Sequence, residues 1–135
     1  MPYVPPEEAL DRPLADLDAI AARMGEPPWR VALVGTSALR VVLIRWPPGF
    51  ATVPHVHPHA DEIFQVIGGR ARFAIGGADE VEAGPGDFLH AGVGVRHGIR
   101  VPDDGGPLTL LAAVAPNEDR PDEVVELADR PRPAR

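Results

Sequence analysis

Three histidines and one glutamate in the middle of this 135-residue chain carry the side chains best suited to chemistry. His55 and His57 are separated by one residue, Glu62 follows after four more, and His97 comes much later. On an extended strand, two residues separated by one other point to the same face. A bend at Pro58 would then allow the chain to re-enter the same site at Glu62. Neutral imidazoles and a carboxylate together form a ligand set for a divalent first-row metal ion.

The spacing of the first three residues is shared with a known signature motif. Two glycines frame them, and the motif runs through Gly49, His55, His57, Glu62 and Gly69 with five, one, four and six residues between its members. This pattern is that of the first motif of the cupin superfamily, so the chain resembles a cupin.

A second cupin motif surrounds the last histidine in an altered form. Its members are Gly86, Gly92, Gly94, His97 and Val101, with five, one, two and three residues between them. The motif usually has Pro at the position of Gly92 and Asn at the position of Val101. The metal-binding histidine is kept, so the altered positions bear on the loop geometry and not on the ligand set.

The resemblance implies a fold, a cofactor and an assembly. The fold is all-β: a double-stranded β-helix, or jelly-roll barrel, preceded by a short N-terminal helix. The implied cofactor is one divalent transition metal ion (Fe, Mn, Ni, Co, Cu or Zn), held by His55, His57, Glu62 and His97. Small cupins commonly form dimers, which predicts a homodimer, an arrangement that also covers exposed sheet edges.

Other readings of the histidines stay open at this point. The cluster could instead be a polar turn around Pro54 and Pro58 with no ion. His59 could be an exposed loop residue, a fifth ligand or a proton relay. The default expectation is an exposed loop residue. His90 could face the pocket, although a hydrogen-bonded structural role is the simpler expectation.

The arginines provide candidates for binding a substrate. Arg40 and Arg45 flank an apolar run and have opposite strand parity, so only one of them can point inward, and Arg45 is preferred because it is nearer to Gly49. An inward arginine would indicate an anionic substrate. By the same alternation Arg70 and Arg72 belong on an outer face. Arg96 and Arg100 have the parity opposite to His97 and should also point away from the site. The four phenylalanines are expected in the core, with Phe64 against the metal pocket and the rest of the cavity mainly aliphatic.

Composition excludes several classes of function. The chain has no Cys, which rules out thiol nucleophiles, disulfides and thiolate metal sites, and it has no Lys, which rules out lysine Schiff-base chemistry. A formal net charge of −7 argues against a nucleic-acid surface. No apolar stretch approaches the ~20 residues that span a bilayer, and the start lacks the pattern of a signal peptide. The default expectation is a cytoplasmic protein with no membrane or nucleic-acid partner.

The elements that must position these residues can be read from the apolar pattern. Apolar residues at helical spacing predict a helix over 14–24, capped by Asp11, with Pro13 in its first turn and Gly25 at its end. The predicted strands span 29–34, 38–46, 62–67, 70–75, 80–82, 88–91, 95–101 and 108–115. This number of strands suits a jelly roll. It predicts three regions: an arm with the helix over 1–28, the barrel over 29–116 and a polar tail over 117–135.

Two classes of function fit these observations. The first is a metal-dependent enzyme, such as an oxygenase or isomerase, acting on a small organic molecule, with Glu62 as a ligand that can also carry a proton. The second is a non-catalytic, metal-dependent module that binds or senses a small ligand. No separate general acid or base is evident in the sequence, and the fold alone does not decide between the two classes.

Overall fold

The structure, a computed structural model, describes residues 15–117. It contains one described helix, α1 (Leu17–Met24), and eight strands. The strands are β1 (Trp29–Gly35), β2 (Arg40–Trp46), β3 (Asp61–Gly68), β4 (Ala71–Ile75), β5 (Val81–Ala83), β6 (Phe88–Ala91), β7 (His97–Arg100) and β8 (Leu108–Ala115). These bounds confirm the predicted strands to within a few residues.

The strands form two antiparallel sheets. The larger has the order β1-β2-β8-β3-β6 and the smaller has the order β5-β4-β7. Strands that are distant in sequence, such as β3 and β8, are neighbours in the larger sheet, and this crossing between strands is typical of a jelly roll. The all-β double-stranded β-helix predicted from the sequence is confirmed.

The helix differs from the prediction at its start. It begins at Leu17 and is capped by Asp16, whose carboxylate accepts a hydrogen bond from the Ala19 N–H at 3.1 Å. The cap predicted at Asp11, with Pro13 in the first turn, lies outside the described residues, where the arm 1–14 and the tail 118–135 also fall. Gly25 ends the helix as predicted, with a φ of 75°. The boundaries proposed at 28 and 116 stay predictions.

The larger sheet packs against other elements on both of its faces. Its outer face meets α1 in an apolar cluster that includes Ile20, Trp29, Val31 and Leu43. Its inner face meets the smaller sheet in a second cluster, which includes the completely or almost completely buried residues Val66, Phe73, Val101, Leu108 and Leu110. The helix therefore covers part of the outside of the barrel and leaves the space between the sheets for a site.

A glycine after β3 is required by a close backbone approach. Gly69 has a φ of 73°, and a Cβ built on it would lie 2.2 Å from the carbonyl oxygen of Pro107. Any other residue would collide with that backbone and would also adopt a left-handed conformation that L-residues disfavour. This explains why the motif ends in glycine directly after the strand that carries Glu62.

Within residues 15–117, no helix is both long and apolar enough to cross a membrane.

Candidate metal centre

The segment that carries His55 and His57 is a loop bound to β7. Two reciprocal backbone hydrogen bonds join His55 to His97, from the His55 N–H to the His97 carbonyl at 3.0 Å and back at 2.9 Å. Further back, the Thr52 N–H donates to the Ile99 carbonyl at 2.9 Å. The two histidines were expected on an extended strand. They lie instead in a segment that is joined to β7 by isolated bridges and not by a continuous ladder of hydrogen bonds. These bridges also bring His55 directly opposite His97.

Glu62 reaches the same place from the larger sheet. It is the second residue of β3 and pairs with Val114 of β8 on one side and with Ala91 of β6 on the other. All three residues are buried, as expected for positions on the inner face. The chain turns at residues 58–59 and re-enters β3 at Asp61, which confirms the predicted return beside the histidines.

The four predicted residues come together in one cluster. One ligand atom from each of His55, His57, Glu62 and His97 lies within 4.8 Å of all the others. The Glu62 Oε1 atom is 2.9 Å from the Nε2 atom of His57 and 2.9 Å from that of His97. His57, Glu62 and His97 are buried, whereas His55 is exposed at the mouth. A simple polar turn around Pro54 and Pro58 would not bring in Glu62 and His97 from two other strands.

Two of the imidazoles are held in a defined tautomer. The Nδ1 atom of His55 lies 3.0 Å from the Val53 carbonyl oxygen, and that of His97 lies 3.1 Å from the Val95 carbonyl oxygen. A carbonyl oxygen only accepts, so each Nδ1 carries a proton and donates it. Nε2 is then the nitrogen of both rings that would face an ion bound in the cluster.

The cluster fits a single transition metal ion. Ligands on opposite sides of one ion with bond lengths of about 2.1 Å stand roughly 4.2 Å apart, so donor atoms within 4.8 Å of one another need only small side-chain movements. Three nitrogens and one carboxylate oxygen suit iron, manganese, nickel, cobalt, copper or zinc. The residues could therefore hold an ion of this class.

A cavity of about 190 Å³ opens beside the cluster. Apart from the four candidate ligands, six of its eleven lining residues are aliphatic, and the aromatic residues Phe64 and Trp46 also belong to it. The remaining polar lining residues are Arg30, Arg40 and Thr52. The volume is below the ~300–1,000 Å³ of typical drug-sized sites, which restricts an occupant to a small molecule.

The preference for Arg45 over Arg40 as the inward arginine of β2 is wrong. Arg40 lines the cavity and is only 7% exposed. Arg45 faces outward, where its Nε–H donates to the Thr109 hydroxyl at 2.9 Å and its guanidinium lies 5.4 Å from the centre of the Trp29 ring. Nearness to Gly49 in the sequence did not matter, because strand parity decides the face and Arg40 shares its parity with Val42 and Ile44.

Arg30 is a cavity residue that the sequence reasoning missed. It pairs with Ile44 across β1 and β2, and both residues line the cavity. A signal was present, since Trp29 and Val31 have the opposite parity to Arg30 and fill the cluster under the helix. Recognising it required knowing which face of β1 the helix covers.

The remaining histidines lie outside the cluster. His59 is exposed in the turn at residues 58–59, as the default expectation had it. His90 is exposed on β6, and its Nε2 atom is 2.8 Å from the Asp61 carboxylate, which agrees with a hydrogen-bonded structural role. Neither residue lines the cavity.

The other arginines expected on the surface point outward, whereas one phenylalanine does not lie in the core. Arg70 forms exposed ion pairs with Glu82 and Asp104, and Arg72, Arg96 and Arg100 are also exposed, so the predicted outward set is confirmed. Phe88 departs from the expected core, since it is 62% exposed. It pairs with the exposed Gln65 across β6 and β3, so it belongs to the outer face of the larger sheet and not to the core.

Comparison with known proteins identifies a matching protein family and several solved structures with a similar fold. The sequence model of the Cupin domain matches residues 42–114, which include all four residues of the cluster. A search of curated protein sequences finds no match. The chain is similar to a crystal structure from Thermus thermophilus, with 26% identity, a TM-score of 0.67 and coverage of 78% of this chain and 98% of that one.

Two further solved structures have a similar fold. One is an uncharacterized conserved protein with a double-stranded β-helix domain from Klebsiella pneumoniae, with 26% identity, a TM-score of 0.66 and coverage of 79% and 92% of the two chains. The other is a DMSP lyase from Ruegeria pomeroyi, with 24% identity, a TM-score of 0.60 and coverage of 70% of this chain and 52% of that one. The second likeness concerns the fold alone.

Proposed function

Since this chain belongs to the cupin domain family, we propose that it is a metal-dependent enzyme that acts on a small organic molecule inside the barrel. The observation that carries the proposal is the convergence of three imidazoles and one carboxylate, from a loop and two strands, at the wall of a small cavity. His55, His57, Glu62 and His97 would hold one divalent transition metal ion. When bound, such an ion supplies Lewis-acid polarisation of a ligand oxygen, and a redox-active ion also supplies electron transfer.

The protein groups have separate tasks in this proposal. The carbonyls of Val53 and Val95 hold the rings of His55 and His97 so that Nε2 faces the cluster. Phe64, Ile99 and the aliphatic wall exclude water, which strengthens electrostatic interactions inside the cavity. Glu62 is the only carboxylate among the described lining residues, so it would be the ligand that can also pass a proton to or from an occupant of the cavity.

The lack of a second acid or base in the described lining favours the alternative function. Apart from the four candidate ligands, the only polar residues there are Arg30, Arg40 and Thr52, none of which is a usual general base at neutral pH. A non-catalytic module that binds or senses a small ligand through its metal would need no such group. The homodimer and the cytoplasmic location stay predictions.

The test separates the two functions after metal loading. Protein reconstituted with Fe²⁺ is incubated in air with a catechol and with a β-diketone, and oxygen consumption and product formation are followed. The enzyme proposal, in its oxygenase form, predicts turnover that disappears in His97→Ala and persists in His90→Ala, a matched change of an exposed histidine outside the cavity. Tightly bound zinc, no turnover with any of the candidate metals and stabilisation by a bound small ligand would favour the binding module.

A further inference from the structure

The cavity carries a second feature besides the candidate metal cluster, namely two arginines in its wall. Arg40 comes from β2 and Arg30 from the edge strand β1. Arg40 is 7% exposed, and both residues line the same cavity as His57 and Glu62. A guanidinium group stays charged at any physiological pH. The two side chains therefore bring two cationic groups to the wall of this cavity.

The strand register fixes the distance between the two features. Arg40 pairs with Val114 and Val114 pairs with Glu62, so the three residues form one row across β2, β8 and β3. Neighbouring strands lie about 4.8 Å apart, which places the backbones of Arg40 and Glu62 about 9.6 Å apart. Both side chains point to the inner face, which leaves room between them for only a few non-hydrogen atoms.

The surface between the two features is apolar. Val114 lies between Arg40 and Glu62 in their row, and Val42 and Ala112 pair in the next row of the same face. All three residues line the cavity. An occupant that spans the gap therefore meets a cation at one end, a short aliphatic surface in the middle and the metal cluster at the other end.

We propose that the ligand of this cavity is a small organic acid whose carboxylate is bound by Arg40, assisted by Arg30, while an oxygen at its other end faces the His55, His57, Glu62 and His97 cluster. The planar guanidinium fork matches a carboxylate in a bidentate arrangement. The limited volume selects a short acid. This inference rests on the proposed function for the metal end of the ligand, whereas the carboxylate end depends on the arginines alone.

The two arginines of β2 face different surroundings. Arg45 shows what a structural arginine does in this strand: it donates to Thr109 and lies over Trp29 on the outer face. Arg40 instead occupies the inner face, where its neighbours of the same parity, Val42 and Ile44, are aliphatic. Arg40 therefore presents the N–H donors of a cation at the cavity wall, where the carboxylate of a bound acid can accept them.

The test compares two probes of nearly the same shape, malonate and its neutral analogue malonamide. Calorimetric titration is performed on the full chain loaded with zinc, which has no redox chemistry, and on the metal-free protein. We expect malonate to bind at least tenfold more tightly than malonamide. In Arg40→Gln the malonate Kd should rise roughly tenfold to a hundredfold, as expected when a hydrogen bond to a charged group is lost. Arg72→Gln, which changes an exposed arginine on the other sheet, should bind malonate as the wild type does.

The outcomes separate this inference from the proposed function. Zinc content is measured on every sample, so failure of metal binding is seen directly, and the metal-free titration then still decides whether arginine recognises the carboxylate. If Arg40→Gln does not fold, Arg30→Gln is measured in its place, with a smaller expected loss. Equal affinity for malonate and malonamide, or wild-type malonate affinity in a folded Arg40→Gln protein, would overturn the inference.

Discussion

Arg40 and Arg45 belong to the same strand, β2, and face opposite sides of the larger sheet. Arg40 lies at the cavity wall in one row with Glu62, whereas Arg45 lies on the outer face beside Trp29 and Thr109. The inner face brings together the groups that could hold a metal ion and an acid. The outer face brings together an apolar cluster that fastens the helix to the barrel. Alternation along one backbone thus separates the residues proposed for function from those that stabilise the fold.

This separation predicts that damage to one face should leave the other intact, and the largest stability effect belongs to the outer face. Trp29 is completely buried, and its indole N–H donates to the Gly25 carbonyl at 2.9 Å. Trp29→Ala should lower the free energy of unfolding by about 3–5 kcal/mol, because it leaves a large cavity under the helix. Chemical denaturation measures the loss.

The same variant sharpens the comparison through its metal content. Under conditions where Trp29→Ala is still folded, it should bind as much metal as the wild type, because no atom of Trp29 lines the cavity. A folded Trp29→Ala protein that cannot be loaded with metal would show that the two faces are not independent.

The second prediction concerns the inner face. His97→Ala removes the candidate ligand that β7 supplies. It should weaken metal binding by more than tenfold, because mutation of residues that only support a ligand already lowers metal affinity tenfold to a hundredfold. The fold should persist, because the inner cluster is apolar. Metal titration followed by elemental analysis measures the effect, and His90→Ala is the control. Wild-type metal affinity in His97→Ala would show that this residue is not a ligand.

A smaller effect is expected for the outward arginine. Arg45→Gln loses a hydrogen bond to Thr109 and a contact with the Trp29 ring. The free energy of unfolding should fall by about 1 kcal/mol. Metal and malonate binding should not change, in contrast to the effect of Arg40→Gln on malonate. Loss of malonate binding in Arg45→Gln at unchanged stability would reverse the roles assigned to the two arginines.

The smallest effect lies on the exposed surface, away from both clusters. A hydrogen bond from Arg100 to the Glu80 carboxylate, at 2.7 Å, lowers the pKa of Glu80 below its usual value of 4.5. A carboxylate whose pKa is lower in the folded state stabilises the protein above the unfolded pKa, and this contribution is lost as pH falls through the folded pKa. Melting temperatures of the wild type and Glu80→Gln should therefore differ slightly at neutral pH and converge at acidic pH. A difference that grows on acidification would contradict this assignment.

Much of the fold could be predicted because local signals agree with the final structure. Glycine turns separate the strands, and the predicted range 88–91 coincides with β6. The faces of β2 were harder to assign. Its residues from Val41 to Ile44 are all apolar, since the strand is covered by the helix on one face and by the smaller sheet on the other. A strand that is buried on both faces loses the alternation that would have identified Arg40 as the inward residue.

The residues of the candidate site could be predicted from the sequence, whereas the geometry that supports them could not. The spacing of His55, His57 and Glu62, with His97 in the second motif, was sufficient to name the cluster that the structure brings together. The loop conformation of the two histidines depends on hydrogen bonds to β7, some forty residues away, and no local pattern encodes such a contact. Arg30 was missed for a similar reason, because its face is decided by the packing of α1 on the neighbouring residues.

His55, His57, Glu62 and His97 are proposed to bind one metal ion. The number of metal ions bound per chain tests this proposal most directly. The wild-type protein and a Glu62→Gln variant are dialysed against each candidate metal and then against metal-free buffer, and their metal content is determined by elemental analysis. We predict one equivalent per chain in the wild type with at least one of the metals, nitrogen ligands at about 2.1 Å in its X-ray absorption spectrum, and a much lower content in Glu62→Gln. A folded wild-type protein that retains no metal, or a Glu62→Gln variant that retains the full equivalent, would contradict the account.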